Sequence, residues 1–110
     1  MQSDGAQYHL HVYFSDAAEA HARQVRIWAE SHPLVQELGR FHSGPIGPHP
    51  VRQFQILVRA TDVEVVVSWL DEVRGSLDVL IHPQIEDDLL AHTTLARWLG
   101  KAHELDLSRF

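Results

Sequence analysis

The chain has 110 residues, the size of one ordinary domain, and its apolar fraction of 45% suits a packed core rather than disorder. Its formal charge of −6 gives no electrostatic footprint for nucleic acid or anionic membrane, and no apolar run approaches the length of a membrane helix. Cysteine is absent, which excludes disulfides and thiolate metal sites.

The first seven residues, MQSDGAQ, are polar and lack the hydrophobic segment of a secretory signal. They are expected to be a flexible N-terminal segment of a single domain spanning 1–110, and a cytoplasmic setting is expected. The stretch YHLHVYF at 8–14 alternates as a strand. Leu10, Val12 and Phe14 point one way, and His9, His11 and Tyr13 the other. In SDAAEAHARQVRIWAESH, Asp16 and Glu19 have capping-box spacing, which predicts a helix start. Val25, Trp28 and Ala29 form its apolar stripe, and Pro33 ends it near His32.

A short strand is expected around Arg40 to Ser43. GPIGPHP then reads as a rigid turn. VRQFQILVRA is another alternating strand, with Phe54, Ile56 and Val58 on one side and Gln53, Gln55 and Leu57 on the other. Thr61 and Glu64 predict a second capped helix. Val63, Val66, Val67, Leu70 and Val73 form its stripe and Gly75 its stop. SLDVLIHP is the fourth strand, with Leu77, Val79 and Ile81 on one face and Asp78, Leu80 and His82 on the other. A third helix is expected from about Asp87 to Leu99, ending at Gly100.

The order is β-α-β-β-α-β with an added C-terminal helix. It predicts an α+β, ferredoxin-like domain. Right-handed crossovers place both main helices on one face of a four-stranded antiparallel sheet in the order 4-1-3-2. The first and fourth strands are then antiparallel neighbours, so His82 lies close to His9 and His11 on the open face.

Nine histidines in 110 residues is several times ordinary usage, and they are spread from His9 to His103. A His-x-His pair on a strand projects two imidazoles one way, roughly 7 Å apart at Cα. Neutral imidazole ligates iron, zinc, copper and nickel. With His82 as a third ligand the trio leaves positions open for water or substrate. The competing reading is a polar, solvent-facing strand face. His49 is held between prolines, more constraint than a surface histidine needs. His92 shares a helix face with Leu95 and Leu99, which favours a packed structural role. His42 is placed on an edge strand away from His82, and His21, His32 and His103 read as surface residues. Glu86 to Asp88 read as a helix N-terminus. Asp78 shares the face of His82 and is a candidate carboxylate ligand. Tyr13 and Gln55 face the same side and are candidates for binding a ligand.

HLHVYF, GPIGPHP, SWLDEVRGSLDVLIHP and AHTTLARWLG occur together, in order, from about residue 8 to residue 107. This set resembles the DOPA dioxygenase-like family, small ferredoxin-like proteins related to a fungal DOPA 4,5-dioxygenase. The resemblance marks His11, His49, His82 and His92, together with Trp69, Arg74, Gly75 and Trp98 to Gly100. It makes a functional His92 the stronger expectation. It also exposes a departure, because the family often has an acid just before the helix histidine and this chain has Ala91.

The resemblance implies extradiol cleavage of a catechol such as DOPA by O2 at a non-haem Fe(II), with zinc or nickel as alternative ions in purified protein. His9, His11 and His82 are then expected to hold the metal, with His92 a fourth ligand or neighbour. His49, expected at the opposite end of the sheet from His82, is the acid/base. Arg74 or Arg52 is expected to hold a substrate carboxylate. The open sheet face needs a cover, so a homodimer is expected. Three rivals share the topology: a non-catalytic protein binding a divalent metal, a metal-free ligand-binding module, and a cofactor-independent monooxygenase. The last gives no reason for the histidine motifs.

Overall fold

The computed structural model describes residues 6–110. Of the segment expected to be flexible, residues 1–5 lie outside the described residues, whereas Gln7 already opens β1 (Gln7–Tyr13). β2 (Val35–Leu38), β3 (Gln53–Arg59), β4 (Asp78–Pro83) and β5 (Arg97–Leu99) complete one antiparallel sheet in the order β2-β3-β1-β4-β5. The inner arrangement matches the expected 4-1-3-2, and the fifth strand is an addition to it. The helices are α1 (Glu19–Glu30), α2 (Val63–Val73) and the short α3 (Asp88–His92).

Alternation in the strands decides where the core sits. Leu10, Val12, Ile56, Val58, Val79 and Ile81 pack in one cluster with Ala22, Val25 and Ala29 of α1 and Val66 and Leu70 of α2. That cluster consumes one face of the sheet. The other face carries His9, His11, Tyr13, Leu80 and His82. No helix among the described residues is long and apolar enough to cross a membrane.

Several local expectations fail for identifiable reasons. The strand expected at Arg40 to Ser43 lies earlier, at Val35–Leu38, next to a bulge at Val35/Glu37. Only isolated bonds continue the ladder beyond it, from Gly39 N–H to the Gln55 carbonyl and from His42 N–H to the Gln53 carbonyl. Neither capping box forms. Asp16 and Glu19 instead pair with Arg52, each at 2.8 Å, and Glu64 with Arg97 at 2.6 Å. Charge-assisted bonds to guanidinium outcompete the cap. Short 3-10 turns, Asp16–Ala18 and Ala60–Asp62, lead into the two helices instead. Trp28 is exposed, because Ala22, Val25 and Ala29 form the buried stripe of α1.

The largest correction concerns the third helix. It stops at His92, and Arg97–Leu99 pairs with β4 as an edge strand. The Leu95 and Leu99 spacing mimicked a helical face, but the adjacent Thr93 and Thr94 are poor helix formers. The free edge of β4 offers backbone partners that a helix would leave unmet. Leu99 opposite Val79 joins the core, while Trp98 opposite Leu80 turns to the histidine face.

Gly100 ends this strand at φ +76°, and an added Cβ would overlap the Asp78 carboxylate. Gly100→Ala is therefore expected to destabilise the protein by about 2 kcal/mol or more, from left-handed strain and displacement of Asp78. A urea titration reads this directly. An unchanged midpoint would contradict the packing described.

Candidate metal centre

β1 supplies His9 and His11 two residues apart, and His82 of β4 sits directly opposite His9 in the ladder. This is the juxtaposition expected from the topology. The ring centroids of His82 lie 5.1 Å from both His9 and His11. His92, the last residue of α3, packs 3.9 Å from His82, so the truncated helix still delivers it.

His49 arrives differently from expectation. Ile46 and His49 bond to each other across a tight turn with Gly47 at φ +55°. The turn folds back over the sheet and sets the His49 ring 4.1 Å from His11, rather than at the far end of the sheet. Asp106 N–H donates to the Pro48 carbonyl at 2.9 Å, tying the C-terminal segment to the turn. Phe110 lies 4.8 Å from His92. The result is a covered cluster in which His11, His49 and His82 are each 3–6% exposed.

Among the described residues two trios can offer ligand atoms within 4.8 Å of one another: His9, His11 and His82, and His11, His49 and His92. His11 belongs to both. Its Nδ1–H donates to Gln53 Oε1 at 3.1 Å. The Nδ1–H of His82 donates to the Pro83 carbonyl at 2.9 Å, and that of His92 to the Asp88 carbonyl at 2.8 Å. Oxygen acceptors at Nδ1 leave a lone pair on Nε2, the arrangement seen around metal-ligating histidine.

His11 Nε2 and His82 Nε2 face each other at 3.0 Å. Burial first, and neighbouring imidazoles second, push His11 well below its usual range. Burial also takes His82 to about 3. Neither ring holds a second proton near neutrality, so the two Nε2 lone pairs face and repel each other. A divalent cation relieves that repulsion, and the donor set fits a metal of the imidazole-binding class.

The remaining expected residues divide. Tyr13 is in the cluster: its buried hydroxyl shares a 2.7 Å hydrogen bond with His49 Nδ1. Burial raises the phenol far above its usual range. Gln55 lies opposite His11 in the ladder and lines a groove beside His9. Arg74 is committed elsewhere, to Asp71 at 2.6 Å and to the Leu77 carbonyl. Arg52 lies over Phe14 on the helix-covered side. Asp78 is taken by His103 at 2.8 Å and by the Lys101 N–H, and does not join either trio.

His103 is thus no surface residue: it is half-buried and packs against Tyr13 and Trp98. Gln53, 3% exposed, was also missed as a site residue, although it shares a strand face with Gln55. His21 donates to the Val73 carbonyl, and His32 packs on Trp69. Both are structural.

The sequence pattern described as the Dopa 4,5-dioxygenase family matches residues 8–109. A DOPA 4,5-dioxygenase of Amanita muscaria is 30% identical over 116 residues, covering 98% of this chain and 51% of the relative. A 21.2 kDa protein of Botryotinia fuckeliana is 32% identical, covering 92% of this chain and 61% of that protein. The chain therefore spans only about half to three-fifths of these curated relatives. The crystal structure of a "putative dioxygenase" from Nostoc punctiforme superposes with a TM-score of 0.89 at 38% identity, covering 94% of this chain and 90% of the other. Matched over nearly its whole length, and carrying a buried histidine cluster that can hold a metal, the chain belongs to the Dopa 4,5-dioxygenase family.

Proposed function

We propose that this single ferredoxin-like domain is an extradiol ring-cleaving dioxygenase that opens a catechol with O2 at Fe(II). The observation that carries the reading is the pair of buried, neutral Nε2 atoms of His11 and His82 at 3.0 Å. Family membership and the likeness to the Amanita enzyme supply the reaction class.

His9, His11 and His82 hold the ion, with His92 beside them. When bound, it supplies a charged centre that acidifies the catechol and brings ring and O2 together. The chain's own groups supply proton handling and dryness. His49 is the acid/base. Burial lowers it to about 4, so it is neutral near pH 7 with one nitrogen free to accept. An anionic catechol beside it raises its proton affinity, opposing the burial effect. The Tyr13 hydroxyl accepts from Nδ1–H while Nε2 takes the catechol proton. Tyr13 thereby holds the ring in the tautomer the step requires. Phe110 and the segment tied to the Ile46–His49 turn limit water access. The exposed Leu89, Leu90, Leu95, Leu107 and Phe110 support a homodimer that covers this side.

Tyr13→Phe is expected to lower kcat about tenfold, the equivalent of one lost hydrogen bond, with metal content unchanged. Turnover and elemental analysis on the same sample check this. Equal kcat would remove Tyr13 from the mechanism.

The reading as a whole is tested on untagged protein purified without chelators and loaded anaerobically with Fe(II). Near-stoichiometric iron and O2 uptake with a catechol are expected. Bound metal without O2 uptake would leave a metal-binding protein and no oxygenase. Failure to bind Fe(II) or Zn(II) would overturn both.

A further inference from the structure

Beside His9 the open face of the sheet dips into a groove of about 530 Å³. Its walls are unlike the rest of the site. Gln7, Gln36, Gln55 and Gln84 line it with Glu37, and no lysine or arginine does so among the described residues. Gln7 donates from Nε2 to Gln36 Oε1 at 3.1 Å, closing one side. Glu37 is exposed on the outer strand β2 and has no ion-pair partner among the described residues. His9 belongs both to this groove and to a candidate metal trio.

We infer that this amide-lined groove receives the polar arm of the substrate and selects catechols bearing an ammonium group over those bearing only a carboxylate. The inference rests on the catechol reading and adds to it a charge preference.

The placement follows from sheet geometry. β3 lies between β1 and β2, so two strand spacings, about 10 Å, separate the columns of His9 and Glu37. An aromatic ring with a two-carbon arm bridges that span. The amides present either a carbonyl or an N–H, so they accept an arm of either sign. Glu37 is the one charged group of the lining and decides between them. An ammonium finds a carboxylate and amide oxygens. A carboxylate meets like charge at Glu37; Arg52 and Arg74 are paired elsewhere, and Arg59, exposed on β3 opposite Gln7, does not line the groove. The chain's net charge of −6 acts in the same direction.

The test is calorimetric binding to Fe(II)-reconstituted protein under nitrogen, which needs no turnover. Three ligands are compared: 4-(2-aminoethyl)catechol, 4-ethylcatechol and (3,4-dihydroxyphenyl)acetate. The amine is expected to bind about tenfold tighter than the acid, as suits a partly solvated charge contact. Glu37→Gln should bring the two within about twofold and leave 4-ethylcatechol unchanged. Glu37 is exposed, so glutamine is tolerated there, and a thermal melt confirms it. Equal affinities in the wild type, tighter binding of the acid, or a preference that survives Glu37→Gln would overturn the assignment. Binding of 4-ethylcatechol with no charge preference overturns the groove alone. Loss of binding of all three overturns the catechol reading and the groove with it.

Discussion

His11→Ala is expected to abolish metal retention and to reduce turnover by at least about a hundredfold, beyond the effect of losing an outer-shell partner alone. The reason is its place in the fold. Among the described residues each trio that can hold an ion contains His11, so no pairing of the other histidines replaces it. Substitutions elsewhere separate the trios. His9→Ala breaks only the set with His82, and His49→Ala breaks only the set with His92. We expect His9→Ala to lose metal and His49→Ala to keep metal while losing turnover. Elemental analysis of the three variants, with circular dichroism to confirm folding, decides it. Metal retained in His11→Ala would sink the proposed site. Metal lost in His49→Ala and kept in His9→Ala would move the ion to the second trio and remove His49 as acid/base.

Chelator-treated protein is expected to lose stability steeply on mild acidification, well above the pH at which carboxylates protonate. His49 is lowered to about 4 and His82 to about 3 in the folded chain, both chiefly by burial. The unfolded chain keeps the ordinary value near 6.5. Above about pH 6.5 neither state carries the protons, and these groups do not alter the balance. Below it the unfolded state takes up protons that the folded state refuses, so stability falls with pH until the folded values are reached. The slope is about 1.4 kcal/mol per pH unit for each histidine. Two of them cost roughly 5 kcal/mol by pH 4.5, comparable to the whole stability of a small domain. Burial moves His11 in the same direction. Urea midpoints between pH 7 and 4.5 measure the effect, and His82→Gln should flatten the profile by one histidine's share. A profile that stays level to pH 5 would mean these rings are not buried as described. Added Zn(II) should shift the fall to lower pH, because ligation and protonation compete for the same lone pairs.

The parts legible in the sequence are those governed by short-range periodicity. Alternation in YHLHVYF and QFQILVR assigned each residue to a sheet face, and the structure buries Leu10, Val12, Ile56 and Val58 accordingly. The β-α-β-β-α-β order then implied that the first and last of the four strands pair. From that alone His82 falls beside His9, as it does in the ladder. The stripe of α2 and its stop at Gly75 were equally readable, because a glycine at positive φ closes the helix.

Other features were illegible because they depend on competition between distant groups. Asp16 and Glu19 have the spacing of a cap, but Arg52, 36 and 33 residues away along the chain, claims both carboxylates. Leu95 and Leu99 have the spacing of a helix, but the free edge of β4 claims Arg97–Leu99 as a strand. His103 looked like a surface residue until the chain end brought it against Asp78. His49 is the sharpest case. Its loop was recognisable as rigid, yet nothing local says that the turn doubles back to within 4.1 Å of His11.

The sequence by itself thus determined the composition of the site: which histidines share a sheet face, and that two strands carry them side by side. Periodicity is a property of neighbours in the chain, and it needs no tertiary information. Only the tertiary structure decided that five imidazoles converge, that Gln53, Pro83 and Asp88 orient three of them, and that two Nε2 atoms meet at 3.0 Å. Those relations arise from loop closure and competition for hydrogen-bond partners between segments far apart in sequence, where spacing along the chain carries no signal.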